Sequence, residues 1–166
     1  MIPALVAAGF RVIAPDTRGR GETEMPAEVS ACRIETLVAD LVGLLDALGI
    51  QKIPIVAHDW GATPVWRMAL HYPQRVDRYV ALSVGHPTAY SHGGLEQKLK
   101  SYYMFLLQMR GTAEFLATRS NRRVFRLMTQ YPEEMPQWRR ELSRPGRLTA
   151  AMNYYRANSG LVVPRH

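Results

Sequence analysis

Val56-Ala57-His58-Asp59-Trp60-Gly61-Ala62 is the stretch on which the rest of this chain is organised. Ile53-Pro54-Ile55-Val56 leads into it as a short apolar, β-branched run, and residues 63–72 follow it with the spacing of a helix. A strand, a sharp turn and a helix, with small residues two before and two after a polar residue, describe a nucleophile elbow. Serine is usual at the tip; here the tip is Asp59. Ala57 and Gly61 stand where bulk is expected to collide with the tight turn. A carboxylate is already ionised at neutral pH, so Asp59 can attack carbon directly and form an ester without a base to activate it. The N-terminus of the following helix favours its negative charge. An aspartate at a strand–helix junction also serves as a plain N-cap. His58, Trp60 and the two small flanks together favour the nucleophile.

Working outward, helices and strands alternate through the first half. Residues 1–9 read as the end of a helix stopped by Gly9, and Phe10-Arg11-Val12-Ile13-Ala14-Pro15 as a short buried strand. Asp16-Thr17-Arg18-Gly19-Arg20-Gly21 is a loop at its end; it lacks the Lys-Ser/Thr of a P-loop and the third glycine of a dinucleotide site. Residues 34–48 form a helix with Leu37, Leu41, Leu44, Leu45 and Leu48 on one face, ended by Gly49. Residues 53–57 are the next strand and 76–84 the third. Such alternation implies an α/β fold with a parallel sheet, in which ligands sit at the C-terminal strand ends, where Asp16, Asp59 and His86 all fall. From about residue 95 to 159 the pattern is helical, with breaks expected at Gly111, Pro132, Pro136 and Pro145-Gly146. An all-helical block after a sheet strand reads as an inserted cap over the strand ends, hinged near Gly85-His86-Pro87 and Ser91-His92-Gly93-Gly94.

Composition narrows the chemistry. A length of 166 residues suits one ordinary domain, and 47% hydrophobic residues allow a sizeable core. The single cysteine, Cys32, excludes a disulfide framework and a cysteine-rich metal site, and reads as a small semi-buried residue. No metal-ligand spacing is present. No apolar run approaches a membrane span, and the apolar N-terminus lacks the basic leader of a signal peptide; a cytoplasmic, reducing setting is the expectation. The net charge of +7 is uneven: residues 1–95 carry 8 basic and 9 acidic side chains, residues 96–166 carry 13 and 5. Arg119, Arg122, Arg123, Arg126, Arg139, Arg140, Arg144 and Arg147 are scattered through helix-like segments and form no nucleic-acid-binding motif. They read as a solvated helical face.

These residues carry a family resemblance over nearly the whole chain. It resembles the α/β-hydrolase superfamily, in its epoxide hydrolase and haloalkane dehalogenase branch. Ala14-Pro15-Asp16-Thr17-Arg18-Gly19-Arg20-Gly21 is similar to that branch's loop after the fourth strand, and His58-Asp59-Trp60-Gly61 to its nucleophile motif. Ser101-Tyr102-Tyr103-Met104-Phe105-Leu106-Leu107-Gln108 and Asn153-Tyr154-Tyr155-Arg156 resemble the segments bearing the two ring-opening tyrosines of epoxide hydrolases. The resemblance implies a partial parallel α/β-hydrolase sheet over residues 1–85, a helical cap over 86–160, and a truncated return to the core over 161–166. It implies Asp59 as the nucleophile, Tyr103 and Tyr155 as donors to the epoxide oxygen, and the Trp60 backbone N–H as half of an oxyanion hole. Tyr102 and Tyr154 read as amphipathic core residues, and Trp66 and Trp138 as packing residues. The implied substrate is a small molecule, an epoxide, and no cofactor, metal, nucleic acid or membrane is needed. In a haloalkane dehalogenase relative the Trp60 indole would instead hold a leaving halide; a truncated, inert hydrolase serving as an interaction module is the third reading.

The departures from the pattern set further expectations. The family's ester hydrolysis uses a late histidine and an acid that orients it. His58, His71, His86, His92 and His166 do not match the histidine, and Ser83-Val84-Gly85-His86-Pro87 holds no carboxylate. The His-Gly-aromatic-Pro loop that completes the oxyanion hole has no counterpart. The chain thus resembles the middle of a hydrolase, without its first three strands and last two. The strand order leaves a gap between Val12-Ile13-Ala14 and Ile55-Val56-Ala57, so the unpaired edge is expected to cause poor autonomous stability, self-association, or to mark a longer native chain.

Overall fold

The computed structural model describes residues 1–94, 99, 101–118 and 132–161. Arg119, Arg122, Arg123 and Arg126 lie outside the described residues, as do residues 162–166 of the expected return to the core. The described helices and strands are α1 (Ile2–Ala7), α2 (Ile34–Ala47), β1 (Ile53–His58), α3 (Ala62–His71), β2 (Val76–Leu82), α4 (Pro87–Ser91), α5 (Tyr102–Gln108), α6 (Thr112–Thr118), α7 (Met135–Ser143) and α8 (Arg147–Ala157).

Strands β1 and β2 pair in parallel, with Ile55 opposite Tyr79 and Ala57 opposite Ala81, and α3 makes the crossover between them. Alternate residues of β1 turn to the same side, as the two-residue period of a strand requires. Ile53 and Ile55 pack on that side against Val38 and Leu45 of α2 and Met68 of α3. Met68 is wholly buried, a burial that contributes about 2 kcal/mol. The leucine stripe of α2 is the reason that helix lies here: Leu37 and Leu45 are buried with Val38. Gly49, at φ +67°, closes the helix. The amides of Gly49 and Ile50 donate back to Asp46 and Leu45 at 3.0 and 2.8 Å, a glycine-dependent stop that also brings Ile50 over Leu45. The other side of the sheet is open, with Val56, Val80 and Leu82 exposed.

The expected strand at residues 10–15 is not formed. The segment carries no strand assignment, and Phe10 is 55% exposed. Among the described residues no backbone hydrogen bond joins 11–16 to β1. A strand is stabilised by its neighbour's amides, and this segment has none within reach. Between it and β1 lies a slot of about 870 Å³, walled by residues 10–18 on one side and 53–58 on the other and floored by Leu41, Leu45 and Met68. The gap expected from the strand order is therefore a real cavity.

The helical layer is tied to the first half through α8. Tyr154 is almost fully buried against Cys32 and Leu37, and its hydroxyl donates to the Arg18 carbonyl at 2.5 Å. The Asn158 amide donates to the Cys32 carbonyl, and its oxygen accepts the Ile34 N–H at 3.0 Å. The first turn of α2 is thus capped from 124 residues away. Two expectations need correction here. Pro136 does not break a helix but occupies the first turn of α7, where its missing N–H costs nothing and its fixed φ suits the helix. Nor are Arg144 and Arg147 part of a merely solvated face. Arg144 donates to the Gly21 carbonyl and to Glu22 at 3.1 and 2.8 Å, and Arg147 to the Thr23 carbonyl at 3.2 Å. The loop's own carbonyls need these donors once it folds against α7 and α8.

Candidate active site

The junction of β1 and α3 is one tight 3-10 turn, Asp59–Gly61. His58 enters it extended, at φ −127° and ψ 142°. Asp59 then adopts φ +48°. This left-handed conformation costs a non-glycine residue on the order of 1 kcal/mol and persists only where the surroundings impose it. Here they do: β1 is held by β2, and α3 begins three residues later. The carboxylate-bearing residue stands exposed at the tip. Contrary to expectation, Gly61 needs no small side chain: its φ of −70° suits any residue. A Cβ there would meet nothing within 4 Å, because Gly61 faces the empty slot.

Trp60, next to Asp59, is half-buried and wedged between consecutive tyrosines of α8. Its ring meets Tyr154 at 5.4 Å and 75° and Tyr155 at 4.9 Å and 85°, both edge-to-face, a favoured geometry for aromatic pairs. Tyr155 meets Tyr103 of α5 at 6.1 Å and 80°. Burial pushes the Tyr155 phenol up; hydrogen bonding from Trp60 pulls it down, the Asp59 charge pushes it up, and Arg20 and Tyr103 pull it down. Asp59, Trp60, Tyr155 and Tyr103 thus form one contiguous group. Tyr154 is the core residue expected. Tyr102 is not: it is 62% exposed, because α5 buries Met104, on the other side of the helix, instead. Trp66 packs as expected, donating to the Val84 carbonyl at 3.1 Å and meeting Tyr79 and His86 edge-to-face. Trp138 is half-buried on α7.

Four residues around the group have no role legible in the sequence. Arg20 lies 5.2 Å over the Tyr154 ring, an attractive arrangement of cation and π-face. Arg156, with its side chain 4% exposed, makes a two-pronged bond to Glu114 at 2.7 and 3.0 Å and donates to the Leu107 carbonyl. That guanidinium holds the Glu114 carboxyl down to about 2. The pair joins α5, α6 and α8 directly behind Tyr155, and Gln108 adds a bond to the Tyr155 carbonyl at 3.0 Å. Arg156 belongs to a quoted motif, but its partner lies 42 residues away and no local spacing reveals it.

The slot beside β1 is a separate cavity: its walls include Trp60 and Tyr154 but not Asp59, Tyr103 or Tyr155. Among the described residues no cluster of three His, Cys, Asp or Glu side chains is placed to hold a metal ion. His86 accepts the Thr88 N–H through Nδ1 at 3.2 Å, and His92 Nδ1 lies 2.7 Å from the Thr88 carbonyl.

The family model described as alpha/beta hydrolase fold matches residues 1–156. The chain is 33% identical over 162 residues to Epoxide hydrolase 2 of Caenorhabditis elegans, covering 88% of this chain and 45% of that protein. It is 35% identical over 187 residues to Epoxide hydrolase 2 of Siraitia grosvenorii, covering 92% and 59%. Among solved structures, the epoxide hydrolase VrEH1 from Vigna radiata is similar with a TM-score of 0.76 at 31% identity, over 96% of this chain and 59% of that one. The similarity runs to the epoxide hydrolase branch, and the chain spans about half the length of the curated relatives it matches.

Proposed function

The chain belongs to the alpha/beta hydrolase fold family, and from that premise we propose that it carries the ring-opening half of an epoxide hydrolase site, in a core of residues 1–85 under a helical cap of residues 86–160. A carboxylate oxygen of Asp59 attacks an epoxide carbon. A new carbon–oxygen bond forms, the ring bond breaks, and its electron pair stays on the departing oxygen. Tyr103 and Tyr155 donate to that oxygen, and one phenol proton is transferred to it. The product is a hydroxyalkyl ester on Asp59, with the phenol reprotonated from water. Phenols suit this step because they keep their proton at neutral pH yet release it to an alkoxide. The Trp60 backbone N–H serves as an oxyanion donor when water later adds to the ester carbonyl.

The observation that carries this reading is the run of contacts from the turn at Asp59 through Trp60 to Tyr155 and Tyr103. Two phenols beside a carboxylate serve an epoxide, whose leaving oxygen needs a proton; a departing halide needs none. His86 and His92 are engaged with Thr88, and neither they nor His58 and His71 match the family's late base, so this chain is expected to accumulate the ester. The test is incubation with styrene oxide and intact-mass analysis. The expected result is a single adduct of the epoxide's mass, localised to Asp59 and lost in Asp59→Asn. Halide release from a bromoalkane would instead favour the dehalogenase reading, and no adduct with either compound would favour an inert module.

A small-molecule epoxide is the partner this reading assigns; nucleic acid and membrane play no part in it, and a cytoplasmic setting goes with it. No described helix is long and apolar enough to cross a membrane. The reading also includes self-association through the edge of β1 that β2 leaves unpaired.

A further inference from the structure

Resting on the epoxide-opening reading, we propose that the Trp60 side chain is a positioning residue: wedged between Tyr154 and Tyr155, it orients the Tyr155 phenol so that its proton faces the bond being opened. Trp60 follows Asp59 directly, so its ring is anchored to the turn that presents the carboxylate. On its far side stands Tyr154, which is immobile, being 1% exposed with its hydroxyl on the Arg18 carbonyl. Between these two constraints the indole has one place to lie, and it meets Tyr155 edge-on at 4.9 Å. Tyr155 is set in turn against Tyr103.

The chemistry follows from what an indole can do. Its N–H is a donor only. Where it engages the Tyr155 oxygen, it occupies one lone pair and leaves the phenol's own proton free to point elsewhere. It also stabilises the phenolate that exists for the moment after proton transfer, offsetting burial, which disfavours that charge. The other charged and titratable groups acting on Tyr155 are Asp59, Arg20 and Tyr103. The backbone of Trp60 serves the ester; its side chain serves the acid.

The experiment uses the full chain and compares wild type, Trp60→Phe, Tyr155→Phe and the double variant. Phenylalanine keeps a ring in the wedge and removes only the N–H and the second ring, and circular dichroism checks that the fold is retained. The rate of Asp59 alkylation by styrene oxide should fall about tenfold in Trp60→Phe, a part of the roughly 100- to 10,000-fold that a general acid itself contributes. The double variant should be no slower than Tyr155→Phe alone, because the indole acts through that phenol. A wild-type rate in Trp60→Phe, or losses that multiply in the double variant, would overturn the proposal. An independent readout is tyrosinate absorbance against pH, with Tyr155 assigned by difference from Tyr155→Phe. Its midpoint should rise in Trp60→Phe, and an unchanged midpoint would also overturn the proposal. This titration needs no substrate. An absent adduct in the wild type therefore sinks the epoxide reading, while an unmoved titration sinks the role of Trp60.

Discussion

Asp59 pairs an unfavourable backbone with an exposed carboxylate. Its φ of +48° is one that glycine adopts freely and aspartate adopts only at some cost. Replacing Asp59 by Gly should therefore raise the unfolding free energy by about 1 kcal/mol while abolishing alkylation, as thermal melting and the mass assay would show. Asp59→Asn removes the nucleophilic charge but keeps a side chain that tolerates this conformation, so it should abolish the adduct with little change in melting. A loss of stability in Asp59→Gly would mean that the turn is not strained. The opposite signs separate backbone cost from chemistry at one position. Asp59 was legible in the sequence because the strand, the turn and the helix around it all have local signatures. The roles of Gly61 and Tyr102 were misread for a common reason. Whether a small residue avoids a collision, or an aromatic one enters a core, depends on what lies opposite, and what lies opposite is remote in sequence.

At the scale of elements, α8 sets the site. It carries Tyr154 and Tyr155, caps α2 through Asn158, and meets α5 and α6 through Arg156. The Glu114–Arg156 pair should make this layer acid-sensitive. The Glu114 carboxyl titrates near 2 when folded, below its ordinary 4.5. A depressed carboxyl contributes stability that is complete above 4.5 and is lost as pH falls from there toward 2. Glu114→Gln should lower stability at pH 7 by about 2 kcal/mol, leaving the Arg156 charge without its partner, and should flatten the pH dependence between 5 and 2. Chemical denaturation at several pH values measures both, and equal slopes in the two proteins would refute the assignment. Helix α2 was readable from its apolar stripe and Gly49, α3 from its spacing, and the start of α8 from the break at Pro145-Gly146. The bonds that orient them were not, since Arg144 reaches Glu22 and Asn158 reaches Ile34 across more than a hundred residues. Pro136 shows the same limit locally: a proline both stops and starts helices, and only the neighbouring turns decide which.

For the molecule as a whole, the slot beside β1 governs behaviour. It is apolar at its floor and bounded by a strand edge whose amides have one neighbour. Such edges pair with other chains. Analytical ultracentrifugation from low to high micromolar concentration should therefore show growth in mean mass. A lysine at Val56, placed on the strand's exposed side, should suppress it. A monomer at every concentration would count against pairing through this edge. The strand expected at residues 10–15 was misassigned for the same reason the slot exists. Its residues have strand character, but a strand is a relation between two segments, and among the described residues no second segment pairs with it.

The parallel pairing of β1 with β2 has one more consequence. In a parallel ladder the amides of successive residues point to opposite edges. Of the five β1 amide protons (Pro54 has none), alternate ones are therefore locked into the ladder, and the others look into the slot, where water can reach them. Along residues 55–58, deuterium uptake would alternate slow and fast, and whatever settles in the slot would slow the fast ones alone.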